Sequence, residues 1–113
     1  MKLRRAEDAI IDADKIRDYL LSPEHPIGRF KAAFFRKLGY SRDQWEGLES
    51  DLREFHASED VSEVVESRYG KKYIVRANLK GPNGEEAALV SVWIVRNEEE
   101  APRFVTAYPG EEP

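Results

Sequence analysis

The order of patterns along the chain predicts an α+β domain, with three N-terminal helices packed on one face of a four-stranded antiparallel sheet. Two observations carry this. Apolar residues recur at helical spacing up to about residue 58, after which the period changes to alternation. Gly81-Pro-Asn-Gly84 lies between two alternating runs and marks a hairpin, because Asn-Gly suits turns that need positive φ. At 113 residues the chain has room for one domain and one core. The expected division is a mobile leader over 1–9, the domain over 10–109 and a frayed tail over 110–113.

Taken in order, Asp12 is the expected N-cap of a first helix reaching Leu21, with Ile16, Tyr19 and Leu20 on one face. Ser22-Pro-Glu-His-Pro26 breaks it. A second helix opens with Pro26 in its first turn, carries Ile27, Phe30, Phe34, Phe35 and Leu38, and stops at Gly39. Ser41 and Gln44 match a capping box for a third helix with an apolar line of Trp45, Leu48, Leu52 and Phe55. Strands follow over 61–69, 72–80, 86–96 and 103–108. The second puts Tyr73, Val75, Ala77 and Leu79 on one face against Lys72, Arg76, Asn78 and Lys80, with Ile74 out of pattern. The third is apolar on both faces and belongs in the middle of the sheet.

Composition narrows the function. The chain has no Cys, so disulfides, thiolate nucleophiles and cysteine metal sites are excluded, which fits a cytoplasmic location. The start meets Glu7 and Asp8 where a signal peptide needs its apolar stretch, and no run approaches the roughly 20 residues of a membrane helix. A net charge of −4 opposes a simple nucleic-acid binder. Yet the charge is segregated: residues 27–42 and 68–80 each hold five basic residues and no acid, while 43–67 hold nine acids against Arg53 alone. Such blocks build a local positive face on an acidic protein, or simply alternate as solvated faces.

Four places could carry chemistry. At about 100° per residue from Ile27, Lys31 falls at about 40°, between Leu38 at about 20° and Phe35 at about 80°, inside the apolar stripe. Its ammonium either does work there or snorkels to the helix edge. His25, between two prolines, stands where a general acid or base could, since an imidazole titrates near neutrality; an ordinary loop histidine fits as well. His56 at the end of the third helix reads as structural, capping carbonyls. In the last strand, if Val105 and Ala107 face the helices, Phe104, Thr106 and Tyr108 share the open face with Lys72, Arg76 and Lys80. That surface suits single-stranded nucleic acid; the opposite register buries Phe104 and Tyr108. With two His and no metal-ligand spacing, neither a metal nor another cofactor is expected.

His25-Pro-Ile-Gly-Arg-Phe-Lys-Ala-Ala-Phe-Phe, Tyr69-Gly-Lys-Lys-Tyr73, Val92-Trp-Ile-Val95 and Arg103-Phe-Val-Thr-Ala-Tyr-Pro109 resemble an uncharacterised family of small bacterial proteins and toxin-tip domains. Through its helix-then-sheet order and closing Thr-Ala-Tyr-Pro, that family is similar to the barnase/EndoU/colicin/RelE superfamily of metal-independent ribonucleases. The resemblance implies RNA cleavage by attack of the ribose 2′-OH on the neighbouring phosphate. It implies His25 as base or acid, Lys31 or Arg29 as the cation, and Thr106 and Tyr108 as groups orienting phosphate. Arg29, Lys72, Arg76 and Arg103 are the expected substrate-binding residues. The alternative is a non-catalytic interaction module, an antitoxin or immunity-type partner of a neighbouring-gene product. Expected partners are therefore RNA or such a protein, without a membrane, the chain itself being monomeric or homodimeric.

Overall fold

Helices and strands segregate along the chain as their periodicity predicts. The computed structural model describes residues 1–26 and 28–110. A 3-10 turn (Ala6–Asp8) precedes α1 (Ala13–Lys15), which runs on as a π-helical turn (Ile16–Leu20). The second helix is α2 (Arg29–Lys37). The third, α3 (Trp45–Asp51), is entered through a 3-10 turn (Arg42–Gln44) and left through a π-helical turn (Leu52–His56). Strands β1 (Val61–Ser67), β2 (Gly70–Lys80), β3 (Glu86–Arg96) and β4 (Arg103–Pro109) pair antiparallel in the order β1-β2-β3-β4, so the chain is an α+β domain with an open four-stranded sheet.

Alternation decides what each strand buries. Val75 and Leu79 of β2, Leu89, Ser91 and Trp93 of β3, and Phe104 and Ala107 of β4 face the helices, meeting Ile16, Leu20, Phe35, Leu48 and Leu52. Trp93 and Phe104 pack edge to face at 5.3 Å, an arrangement that contributes about 0.5–1.5 kcal/mol beyond area burial. Across the opposite face run three rows: Lys72, Ile94 and Arg103; Ile74, Val92 and Thr106; Arg76, Val90 and Tyr108. Ile74, out of pattern in the sequence, sits on this open face beside Val92.

A β-bulge settles the register of the last strand. Val92 pairs with Thr106 and Trp93 with Phe104, leaving Val105 as the extra residue. Phe104 and Ala107 therefore both point to the core, while Thr106 and Tyr108 stay on the open face with Lys72 and Arg76. Neither register open from the sequence holds whole: Phe104 is buried, as in one, while Thr106 and Tyr108 are on the open face, as in the other, because neither uniform alternation accommodates the inserted residue.

The helices depart from their expected phase for a related reason. An i→i+5 turn holds more residues than an α-turn, so after Leu52 it is His56 that returns to the core, while Phe55 is 61% exposed. In the first helix, Ile16 and Leu20 are buried and Tyr19 is left half-buried beside them. Neither Asp12 nor Ser41 makes a side-chain cap; the expected capping box is replaced by the 3-10 turn, in which Gln44 N–H donates to Ser41 O at 3.2 Å. Pro26 precedes α2 rather than entering its first turn. Gly39, at φ 98°, ends that helix as expected.

Residues 1–9, expected as a mobile leader, place Leu3, Ala6 and Ala9 in the core, and Val61 N–H donates to Met1 O at 2.7 Å. At the other end Gly110 N–H donates to Ala88 O at 2.8 Å, so this first residue of the expected tail continues the pairing with β3. Ile27 in the apolar stripe and the rest of the tail, 111–113, lie outside the described residues.

Candidate functional site

Four elements converge at the β4 edge: the π-helical turn after α1, the loop before α2, α2 itself and β4. Lys15 Nζ donates to the carbonyls of Phe104 at 3.1 Å and Val105 at 3.3 Å, clamping the bulge that orients Thr106. Gly28 lets the start of α2 lie on Tyr19, since a Cβ there would come within 1.9 Å of the Tyr19 carbonyl oxygen.

The half-buried Lys31 Nζ donates to Tyr19 Oη at 2.7 Å and to Thr106 Oγ1 at 3.0 Å. It lies 4.9 Å from the Tyr19 ring centroid and 5.9 Å from that of Tyr108. Among the described residues no carboxylate pairs with this ammonium; hydroxyls and aromatic rings hold it, so its positive charge stays uncompensated and available to an anion. Burial pushes the Tyr19 phenol up, but hydrogen bonds from Lys31 and Thr106, with the positive charges of Lys31 and Lys15, outweigh it and leave the group below its ordinary value.

His25 joins on the other side of Tyr19, the two rings edge to face at 5.0 Å. Its Nδ1 accepts the Gly28 N–H at 3.0 Å, and its carbonyl accepts the Arg29 N–H. A neutral ring whose Nδ1 accepts carries its proton on Nε2.

His25, Lys31 and Thr106 are thus gathered around Tyr19, and Tyr108 joins them through Lys31. Of the four expected binding residues, Arg76 shares a row and a concavity with Tyr108, and Arg29 follows the His25 turn, while Lys72 and Arg103 stand further along the open face. Arg29 lies over the exposed Phe30 ring, 4.8 Å from its centroid. Arg76 and Arg103 stand on the open face, but Glu63 lies 3.6 Å from Arg76, and Glu99 holds Arg103 through two bonds of 2.9 and 3.1 Å. Lys72, in the same row as Arg103, has no acid partner among the described residues. Tyr19 is the residue that sequence reasoning missed, having counted it into the apolar stripe; a tyrosine at a stripe boundary, whose hydroxyl needs a partner when half-buried, was the available sign.

His56 is structural, though it bonds the sheet and not the helix carbonyls expected. Its Nδ1 lies 2.6 Å from Ser91 Oγ, and its Nε2 lies 3.0 Å from Leu89 O and 3.1 Å from Ala77 O. Among the described residues no group of three or more His, Asp or Glu side chains could hold a metal ion, and no helix is long and apolar enough to cross a membrane.

Together these features define a small α+β domain with a lysine-centred hydroxyl and aromatic cluster at the edge of an open sheet. The chain belongs to the family described as domain of unknown function DUF6883, whose model matches residues 2–111. No curated protein matches it. A solved chain from a contact-dependent growth inhibition toxin–immunity protein complex of Klebsiella pneumoniae 342 shares the fold, with a TM-score of 0.64 at 18% identity over 96% of this chain and 99% of that one.

Proposed function

We propose that this chain is a toxin-like, metal-independent ribonuclease with a fold related to the barnase/EndoU/colicin/RelE group, cleaving RNA by 2′-OH transesterification. The observation that carries the reading is the uncompensated Lys31 ammonium, held by Tyr19 and Thr106 and flanked by His25 and Tyr108. In this reading Lys31 and Thr106 meet the non-bridging phosphate oxygens, where charge grows as the 2′ oxygen attacks. Tyr19, in its phenolate form, takes the 2′ proton, and its lowered pKa favours that role. The departing 5′ oxygen takes its proton from solvent, and His25, edge to face with Tyr19, is the candidate to assist that transfer. The products are a 2′,3′-cyclic phosphate and a 5′-hydroxyl. Similarity to a chain of a toxin–immunity complex supports a place in such a system, with a cognate protein as partner and the cytoplasm as site of action.

A second reading is the immunity or antitoxin side of such a pair, favoured by the nine acids over residues 43–67 and the exposed Phe55 among them. Incubation of the protein with RNA in EDTA, beside Lys31→Ala, separates the two. Cleavage to cyclic phosphates that Lys31→Ala lacks supports the ribonuclease; intact RNA at high protein concentration refutes it. Light scattering on the same sample distinguishes monomer from homodimer.

A further inference from the structure

The tip of the β1–β2 hairpin presents an aromatic ring on a braced backbone. Arg68 and Tyr69 alone connect the strands, and Tyr69 is 64% exposed. Tyr69 N–H donates to Ser67 Oγ at 3.2 Å, and Ser67 Oγ donates to Gly70 O at 3.2 Å. From the β3–β4 turn, Asn97 N–H donates to Tyr69 O at 3.1 Å and Asn97 Nδ2 to Arg68 O at 2.6 Å. Gly70, at φ 147°, has no room for a Cβ, which would come within 2.2 Å of Val95 O. A backbone braced this way gives up little further conformational freedom when something stacks on the ring it carries.

The surroundings of the ring are basic. Arg68 lies 5.1 Å from its centroid and donates to its hydroxyl at 3.1 Å. Lys72, Ile94, Arg96 and Asn97 line the concavity beside it. Among the described residues Arg68 and Lys72 have no carboxylate partner. Arg96 lies 4.0 Å from Glu99, whose carboxylate already holds Arg103. An exposed aromatic on a braced backbone with uncompensated cations beside it matches a base and its phosphate, not an acidic or apolar peptide alone.

We propose that this tip is a second nucleotide subsite on the open sheet face: Tyr69 stacks on an unpaired RNA base, and Arg68 and Lys72 meet the adjoining phosphates. The inference rests on the ribonuclease reading above and extends it to the length of RNA engaged. Arg96 stands opposite Gly70, and Val92, four residues back on β3, stands opposite Thr106. Along the strand this is roughly 13 Å, and β2 lies two strand spacings, about 9.6 Å, from β4, so the separation is roughly 16 Å, about two to three nucleotides of an extended single strand. The RNA then runs from the Lys31 cluster along the row of Ile94 and Lys72 to Tyr69.

The test is binding of a labelled 2′-O-methyl RNA hexamer, which lacks the attacking hydroxyl, followed by fluorescence anisotropy, with cleavage of the unmodified hexamer run in parallel. Tyr69→Ala weakens binding on the order of tenfold, and Tyr69→Trp retains it. Lys72→Ala reduces the salt dependence by about 0.7 in log–log slope. A dinucleotide binds more weakly to the unmodified protein and no longer distinguishes Tyr69→Ala. Phe55→Ala, which alters an exposed ring away from this face, leaves binding unchanged. RNA that is bound and cleaved equally by Tyr69→Ala overturns the subsite and leaves the ribonuclease standing. RNA neither bound nor cleaved by the unmodified protein overturns both.

Discussion

Lowering the pH protonates histidine in the unfolded chain before it protonates His56 in the fold, and the structure says why. Two carbonyl oxygens face His56 Nε2, so that atom carries the proton, and Ser91 Oγ–H must donate to Nδ1. Trp93 Nε1–H donates in turn to Ser91 Oγ at 2.8 Å. The chain of bonds is complete with a neutral ring. A second proton would set a cation in the core with a hydroxyl donor already aimed at it. Burial therefore pushes His56 below its ordinary 6.5, despite the opposing pull of the Ala77 and Leu89 carbonyls and of Glu59. Below 6.5 the unfolded state holds more protons than the folded one, so stability falls as pH falls, by up to about 1.4 kcal/mol per pH unit until the folded-state pKa is reached. Above 6.5 this contribution is fully present. Urea unfolding followed by Trp fluorescence between about pH 8 and about pH 5 reads the loss, above the range where most carboxylates titrate. A His25→Ala background removes the only other histidine. His56→Gln is expected to lower stability at every pH and flatten its dependence. An equal slope in His56→Gln and its parent would refute the reasoning.

The site gives three further expectations. Lys31→Met lowers RNA cleavage by about 10²–10³-fold, the loss typical of one oxyanion donor, while loss of its hydrogen bonds to Tyr19 and Thr106 lowers stability by only about 1–2 kcal/mol; rate and melting assays on one preparation check both. Tyr19→Phe removes the rise of kcat/KM with pH on the alkaline side, and an unchanged profile would take Tyr19 out of proton transfer. Gly28→Ala forces α2 away from the Tyr19 carbonyl, costing about 1–3 kcal/mol in urea unfolding and lowering cleavage together with stability.

Solvent-facing and core-facing positions were legible wherever the period held. Val75 and Leu79 against Lys72 and Arg76, the central place of β3, and the stop at Gly39 all follow from local sequence, because side-chain alternation and positive φ are local properties. Lys31 was legible as an anomaly, a charge at a stripe position. Its partners were not, since Tyr19 and Thr106 lie 12 and 75 residues away and nothing in spacing encodes a contact between elements.

Sequence by itself therefore determined the class of fold, the β2–β3 hairpin, the central place of β3 and a short set of candidate residues. Tertiary structure decided which candidates meet. Two π-helical turns shifted Tyr19 and His56 relative to α-helical phase, and one bulge at Val105 put Phe104 in the core and Thr106 at the site. Such single-residue insertions leave almost no trace in a periodic pattern. They are stabilised by distant partners, the Lys15 clamp on β4 and the Ser91 and carbonyl contacts of His56, which exist only once the helices lie on the sheet.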